Sequence, residues 1–75
     1  MAVPAQMIPV DSSNLKMVGY SHDSWDLYIE FKSGGTYRYP KVPPAMYREM
    51  MTADSVGAFF SERFKRSNWE AIRIS

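Results

Sequence analysis

The fold of this chain is decided by two neighbouring stretches, Trp25-Asp26-Leu27-Tyr28-Ile29-Glu30-Phe31 and Gly34-Gly35-Thr36-Tyr37-Arg38-Tyr39-Pro40. Apolar and polar residues alternate through the first stretch, which is the pattern of a half-buried β-strand. Glycine adopts positive φ without a Cβ clash, so the two glycines predict a hairpin turn into a second strand. The returning strand carries Tyr37 and Tyr39 on one face and Arg38 on the other.

The number of residues in this turn decides which face of the sheet carries the tyrosines. With an odd loop, such as Lys32-Ser33-Gly34, Ile29 lies opposite Tyr37 and both tyrosine rings join the core. With the two-residue loop Gly34-Gly35, the rings move to the other face, where they could stack on bases. We favour the odd loop, because the apolar face of the sheet would be thin without the rings. It leaves an open face formed by Tyr28, Lys32, Thr36 and Arg38.

The remaining sequence completes a small α+β domain. Leu15 to Tyr20 predicts a further strand, with Leu15 and Met17 on one face and Val18 and Tyr20 on the other. The predicted architecture is a three-stranded antiparallel meander with two helices on one face and a short C-terminal strand. Residues 1–11 are predicted to be an extended leader, and residues 12–75 a single domain.

Two helices are predicted after the meander. Pro43-Pro44 suits a helix start, where a missing N–H costs nothing. The methionines that follow lie at helical spacing and predict one buried stripe, or else an adaptable surface for a partner. Asp54 or Ser55 caps the second helix. The apolar residues of this helix share one face. Together with the apolar residues of the alternating strand they give five predicted core positions: Leu27, Ile29, Phe31, Phe59 and Phe60.

Length and composition exclude several classes of protein. A chain of 75 residues buries only about 60% of its unfolded surface, which leaves little interior for a deep catalytic cleft. There is no cysteine, which excludes disulfides and thiolate metal sites. No apolar run approaches the roughly 20 residues that span a bilayer, and residues 1–9 lack the positive charge and the continuous apolar core of a signal peptide. We therefore expect a cytoplasmic protein with no membrane partner.

Positive charge increases along the chain. The formal charge is −3 for residues 1–31, +1 for residues 32–62 and +3 for residues 63–75. A basic end suits an anionic partner, although such a cluster is also common on an ordinary solvated helix end. The candidate nucleic-acid-binding residues combine cations with one aromatic ring, and they are Arg38, Lys41, Arg63, Lys65, Arg66 and Trp69.

Nothing in the sequence predicts catalysis. His22 is the only histidine, and it lies in a predicted turn without metal-ligand spacing to other residues. Gly34-Gly35 is not followed by the Lys-Ser/Thr pair and the helix that a phosphate loop requires. We expect no catalytic residue, no metal and no cofactor.

The order of several short motifs resembles the KTSC domain, a module at the C-terminus of some lysyl-tRNA synthetases that also occurs as stand-alone bacterial and phage proteins. The matching segments include Ser13-Asn14-Leu15, Val18-Gly19-Tyr20, Tyr37-Arg38-Tyr39, Val42-Pro43 and Ser55-Val56-Gly57. The resemblance implies no reaction and suggests RNA binding, with Tyr37 and Tyr39 as the central family motif.

Two functions remain open from the sequence. The first is a small non-catalytic module that binds RNA or another single-stranded nucleic acid, with cations on phosphates and an aromatic residue on a base. The second is a protein–protein adaptor that uses a strand edge or the methionine-rich helix. A net charge of +1 gives little electrostatic attraction to nucleic acid, and that favours the adaptor.

Overall fold

The computed structural model describes residues 5–75 and contains one antiparallel sheet with the strand order β1-β2-β3-β4-β5. Two helices, α1 and α2, cover one face, and a π-helical segment extends α2. The strands are β1 (Ile8–Pro9), β2 (Leu15–Ser21), β3 (Asp26–Phe31), β4 (Thr36–Tyr39) and β5 (Ile72–Arg73). The helical elements are α1 (Pro44–Thr52), α2 (Val56–Phe60) and the π-helical segment Ser61–Lys65.

The α+β class and the short C-terminal strand are confirmed, but the sheet has five strands where a meander of three was predicted. β1 comes from the stretch predicted to be an extended leader, and it pairs with β2 through Ile8 and Val18. β5 pairs with β4 through Tyr37 and Arg73. β5 is the predicted C-terminal strand, with only two residues paired, whereas β1, also of two residues, was not predicted. A strand as short as β1 does not show the alternation by which strands are recognised in a sequence.

The hairpin between β3 and β4 has the odd loop. The N–H of Phe31 donates to the carbonyl of Gly35 (3.1 Å), which leaves three residues in the loop. Gly34 and Gly35 both have positive φ, at 105° and 88°. Leu27 and Ile29 consequently face Tyr39 and Tyr37. The predicted register is confirmed, and the Tyr39 ring is buried in the core while Tyr37 packs against it.

Aromatic rings form the centre of the core. Phe60 and Phe64 stack at 5.4 Å between ring centroids, and Tyr39 meets the edge of Phe60 at 5.3 Å. Three of the predicted core residues are fully buried, and the other two pack against the core while partly exposed. The first group is Leu27, Ile29 and Phe60, and the second is Phe31 and Phe59.

A β-bulge changes the predicted faces of β2. The pairing of β2 with β3 shifts between Leu15 and Met17, so that one residue of β2 has no partner. A bulge moves every later side chain to the opposite face. Leu15 and Val18 are therefore both fully buried, although strict alternation placed them on opposite faces.

The second face of the sheet is not the open surface that was predicted. Tyr28 is only 3% exposed. Gly19 lies opposite Tyr28 on the neighbouring strand, and a Cβ at Gly19 would be 2.5 Å from Sδ of Met7. The segment before β1 therefore crosses this face, and the glycine allows its close approach.

Helix α2 packs closely against the turn before β2, and a glycine lies at this contact. Ser55 begins α2 by accepting a hydrogen bond from the N–H of Ala58 (3.1 Å). Two residues later, Gly57 packs on the turn before β2. A Cβ at Gly57 would lie 2.6 Å from Oγ of Ser12 and 2.9 Å from Oδ1 of Asn14. Both side chains are short, and the Ser12 hydroxyl is already held by the N–H groups of Asn14 and Leu15.

We expect Gly57→Ala to destabilise the domain by about 1–3 kcal/mol, because the added methyl group overpacks this contact. In an exposed helix the same change would stabilise by about 1 kcal/mol. The measurement is thermal or urea unfolding. Ala58→Gly, at the exposed neighbouring position, is the matched control and should lose only the helix-propensity difference. A Gly57→Ala variant more stable than the wild type would contradict the close packing.

Candidate functional site

A pocket of about 310 Å³ opens beside the β3–β4 turn. It lies where the end of β3, the turn, β4 and the C-terminal segments meet. Its lining combines aromatic rings with a hydroxyl, a glycine backbone and one cation. The lining residues are Phe31, Ser33, Gly34, Tyr37, Tyr39, Lys65 and Ala71.

The aromatic walls of the pocket are fixed by the hairpin register. Phe31 and Tyr37 meet edge to face, with 5.7 Å between ring centroids. Burial, and secondarily the interaction with Tyr37, raises the pKa of Tyr39 to about 12. The Tyr39 phenol is therefore neutral at physiological pH and remains able to donate a hydrogen bond. The walls offer flat apolar surface with few polar groups, as ligand pockets commonly do.

Two cations flank these rings. The ammonium of Lys65 lies 5.5 Å from the ring centre of Phe31 and 5.9 Å from that of Phe60. The guanidinium of Arg73 lies 6.0 Å from the ring centre of Tyr37. Within residues 5–75, neither cation is in an ion pair with a side-chain carboxylate. The Nε–H of Arg73 donates to the backbone oxygen of Ser75 (3.2 Å), which leaves its terminal N–H groups. Lys65 is thus available to an anion in the pocket, and the terminal N–H groups of Arg73 are available beside Tyr37.

The π-helical segment directs Lys65 to the pocket. Its turns close between residues five apart, as in the hydrogen bond from the N–H of Arg66 to the carbonyl of Ser61 (3.1 Å). Residues five apart then share a face, which places Lys65 above Phe60. Regular α-helical spacing groups Arg63 with the phenylalanines instead. Such π-helical turns are frequently found at functional sites.

Three of the predicted binding residues are in ion pairs. Arg63 reaches Glu49 (3.8 Å), and Arg66 reaches both carboxylate oxygens of Glu62 (3.0 and 3.2 Å). These pairs are exposed, and exposed pairs contribute little energy. Arg38 lies on the second face of the sheet, 3.4 Å from the mostly buried carboxylate of Asp26. None of these three residues lines the pocket.

The remaining two predicted residues lie in different surroundings. The indole N–H of Trp69 donates to the carbonyl of Pro40 (2.7 Å), and the ring packs on Phe64 at 5.0 Å. Trp69 therefore closes the core and does not present its ring to a ligand. Lys41 is exposed after the far end of β4 and has a φ of 63°.

The sequence prediction thus identified the pocket cation, Lys65, and missed Arg73, which lies beside the Tyr37 ring. Arg73 was counted only in the charge of the C-terminal segment. Arg73 lies in the alternating C-terminal stretch that predicted the closing strand. The register of β5 pairs it with Tyr37 and so places it beside the pocket. Nothing in the sequence shows that register, since the strand has only two residues.

Other kinds of site have little support in residues 5–75. No cluster of three or more His, Asp or Glu side chains in this part of the chain could hold a metal ion. His22 instead meets the edge of the Tyr20 ring, with 4.8 Å between centroids. None of the described helices is long and apolar enough to cross a membrane.

Comparison with known proteins assigns the family. The family model described as the KTSC domain matches residues 11–67, which include the pocket residues of the hairpin and Lys65. This chain belongs to the KTSC domain family. A KTSC domain protein from Yersinia pestis, known from its crystal structure, is 36% identical and has a TM-score of 0.86. The match covers 93% of this chain and 97% of that one.

Relatives with the same domain occur both as small proteins and within a large enzyme. An uncharacterized protein of Stutzerimonas stutzeri is 37% identical, over 89% of this chain and 94% of its own length. A lysine–tRNA ligase of Nostoc punctiforme is 34% identical over 79% of this chain. That match covers only 10% of the ligase, so the likeness concerns a small part of the enzyme.

We expect Trp69→Phe to destabilise the domain by about 1–3 kcal/mol, because the carbonyl of Pro40 loses its partly buried donor while the ring contact with Phe64 is retained. Thermal unfolding measures the loss. Trp25→Phe, at the exposed tryptophan, is the matched control and should change stability much less. Equal stability of wild type and Trp69→Phe would show that the indole N–H is free for another role.

Proposed function

We propose that this KTSC domain is a non-catalytic module that binds single-stranded nucleic acid, RNA in particular, through the pocket beside the β3–β4 turn. The observation that carries this proposal is the position of two cations beside the aromatic walls, Lys65 in the lining of the pocket and Arg73 at the Tyr37 ring. Neither has a carboxylate side chain as a partner in the described residues. Cations beside exposed rings are the combination by which small domains hold single strands.

A base would be held by the walls of the pocket. Phe31 and Tyr37 are both partly exposed and line the opening. Stacking of a base on an aromatic ring contributes about 1–3 kcal/mol and does not depend strongly on the base. The Ser33 hydroxyl and the Gly34 backbone add polar groups at the same opening. We therefore expect weak base preference.

The phosphates would be held by Lys65 and Arg73. The other basic residues of the C-terminal region, Arg63 and Arg66, each have a glutamate within ion-pair distance that competes with a phosphate. With two phosphate contacts, the logarithm of the affinity should fall with the logarithm of the salt concentration at a slope near −1.4, about −0.7 for each contact. Binding is then weak at physiological salt.

The lysine–tRNA ligase relative supports RNA as the nucleic acid, since that enzyme acts on a tRNA. The single-stranded form is supported by the shape of the site. A pocket at a hairpin turn admits an unstacked base, as single-strand binding domains do, whereas bases within a duplex are stacked and paired.

A protein–protein adaptor is the second candidate. Within residues 5–75, β1 forms one edge of the sheet, and its Ile8 is 42% exposed. An exposed apolar edge can add a strand from a partner. The methionine-rich helix is less suited to this role, because Met50 is fully buried while Met46 and Met51 pack against the core.

The direct test is Lys65→Met, which removes the ammonium while keeping an apolar side chain against the rings. At low salt we expect its affinity for a fluorescently labelled uridine octanucleotide to fall about fivefold, and its salt slope to decrease by about 0.7. Fluorescence anisotropy measures both quantities. Lys65→Arg should retain most of the binding.

Arg66→Met is the matched control, since it removes one positive charge from the neighbouring residue, which is held by Glu62. We expect its affinity to remain close to that of the wild type. Equal losses for the two variants would contradict binding at the pocket and would indicate a diffuse effect of charge. No binding by the wild type at low salt would reject nucleic acid as the ligand and leave the adaptor.

A further inference from the structure

The turn between β2 and β3 holds an exposed tryptophan in a costly backbone conformation. Trp25 has a φ of 59° and is 47% exposed. The alternating sequence placed its ring with the core residues of β3, but the left-handed conformation turns it away from them. A bulky residue with positive φ is a true outlier, and such outliers gather at functional sites.

A second left-handed residue lies beside Trp25. The N–H of Val42 donates to the carbonyl of Trp25 (2.9 Å), which ties the turn to the loop after β4. Lys41, directly before Val42, has a φ of 63° and is exposed. Within the described residues its ammonium has no carboxylate partner. An exposed indole and a free cation are thus held on adjoining backbone.

We propose that Trp25 and Lys41 form a second contact for the same single strand, with a base stacked on the indole. This proposal rests on the proposed function and adds a second place on the surface where the strand is held. Tryptophan offers a large flat surface on which any base can stack. The turn that carries Trp25 also carries the acidic residue Asp23, and Lys41 is a single cation, so stacking contributes more here than charge.

The separation of the two contacts predicts a dependence on strand length. Trp25 directly precedes β3, and Phe31, at the pocket, is its last residue. Six residues of extended strand place the two sites about 20 Å apart. A dinucleotide reaches only one site, whereas an octanucleotide can engage both and gains affinity because its second contact is intramolecular.

Binding at Trp25 can be followed by the fluorescence of its indole. Its indole is accessible, whereas the indole N–H of Trp69 is bonded to Pro40 and its ring packs on Phe64. We expect a uridine octanucleotide to quench part of the tryptophan emission, and a uridine dinucleotide that binds at the pocket to quench much less. Trp25→Asn should abolish the quenching and weaken octanucleotide binding about tenfold, with dinucleotide binding unchanged. Asparagine tolerates positive φ, so this variant should remain folded.

Ile8→Asn is the matched control, since it replaces the other large exposed apolar residue within residues 5–75, at the edge strand β1. It should bind both oligonucleotides as the wild type does. Suppose that Lys65→Met weakens octanucleotide binding, but that Trp25→Asn has the same affinity and the same quenching as the wild type. The second contact is then overturned, and binding at the pocket remains. If neither oligonucleotide binds the wild type, both proposals are overturned, and Trp25 is left as a contact for a protein.

Discussion

The three-residue loop between β3 and β4 is the constraint on which the rest of the structure depends. Gly34 and Gly35 both adopt positive φ, and together they set an odd loop. A shift of one residue would carry Tyr39 out of the core and remove its ring from the edge contact with Phe60. The same loop brings Tyr37 and Ser33 to the pocket, so that fold and candidate site are determined by one turn.

The cations of the C-terminal region differ in what each one contacts. Arg63 lies over the Phe59 ring (4.8 Å) and reaches Glu49, while Arg66 reaches Glu62. Lys65 differs because the π-helical segment turns it towards the rings at the pocket. Counting charge along the chain gives these residues equal weight, but the structure leaves Lys65 and, from the last strand, Arg73 open to an anion. The availability of a cation, more than the net charge, therefore distinguishes a binding site here.

Local patterns in the sequence predicted much of the fold. The need for aromatic rings on the apolar face of the sheet correctly predicted the register of the hairpin. The alternation of β3 predicted the burial of Leu27 and Ile29, and helical spacing predicted that of Phe60. Four features escaped because no local pattern records them: the bulge after Leu15, the two-residue strand β1, the register of β5, and the π-helical segment. Two of these bear on the site, since the π-helical segment brings Lys65 to the pocket and the register of β5 places Arg73 beside Tyr37. Trp25 continues the alternation of β3, yet a single backbone φ removes its ring from the core.

The most direct measurement of the binding site is a titration of ¹⁵N-labelled protein with an unlabelled uridine octanucleotide, followed by amide chemical shifts. We expect the largest changes around the pocket, at Ser33, Gly34, Tyr37, Lys65 and Arg73. Amides of α1 and of β1 should move little. Shifts concentrated at the β1 edge, with the pocket amides unchanged at saturation, would contradict the assignment of nucleic-acid binding to this pocket.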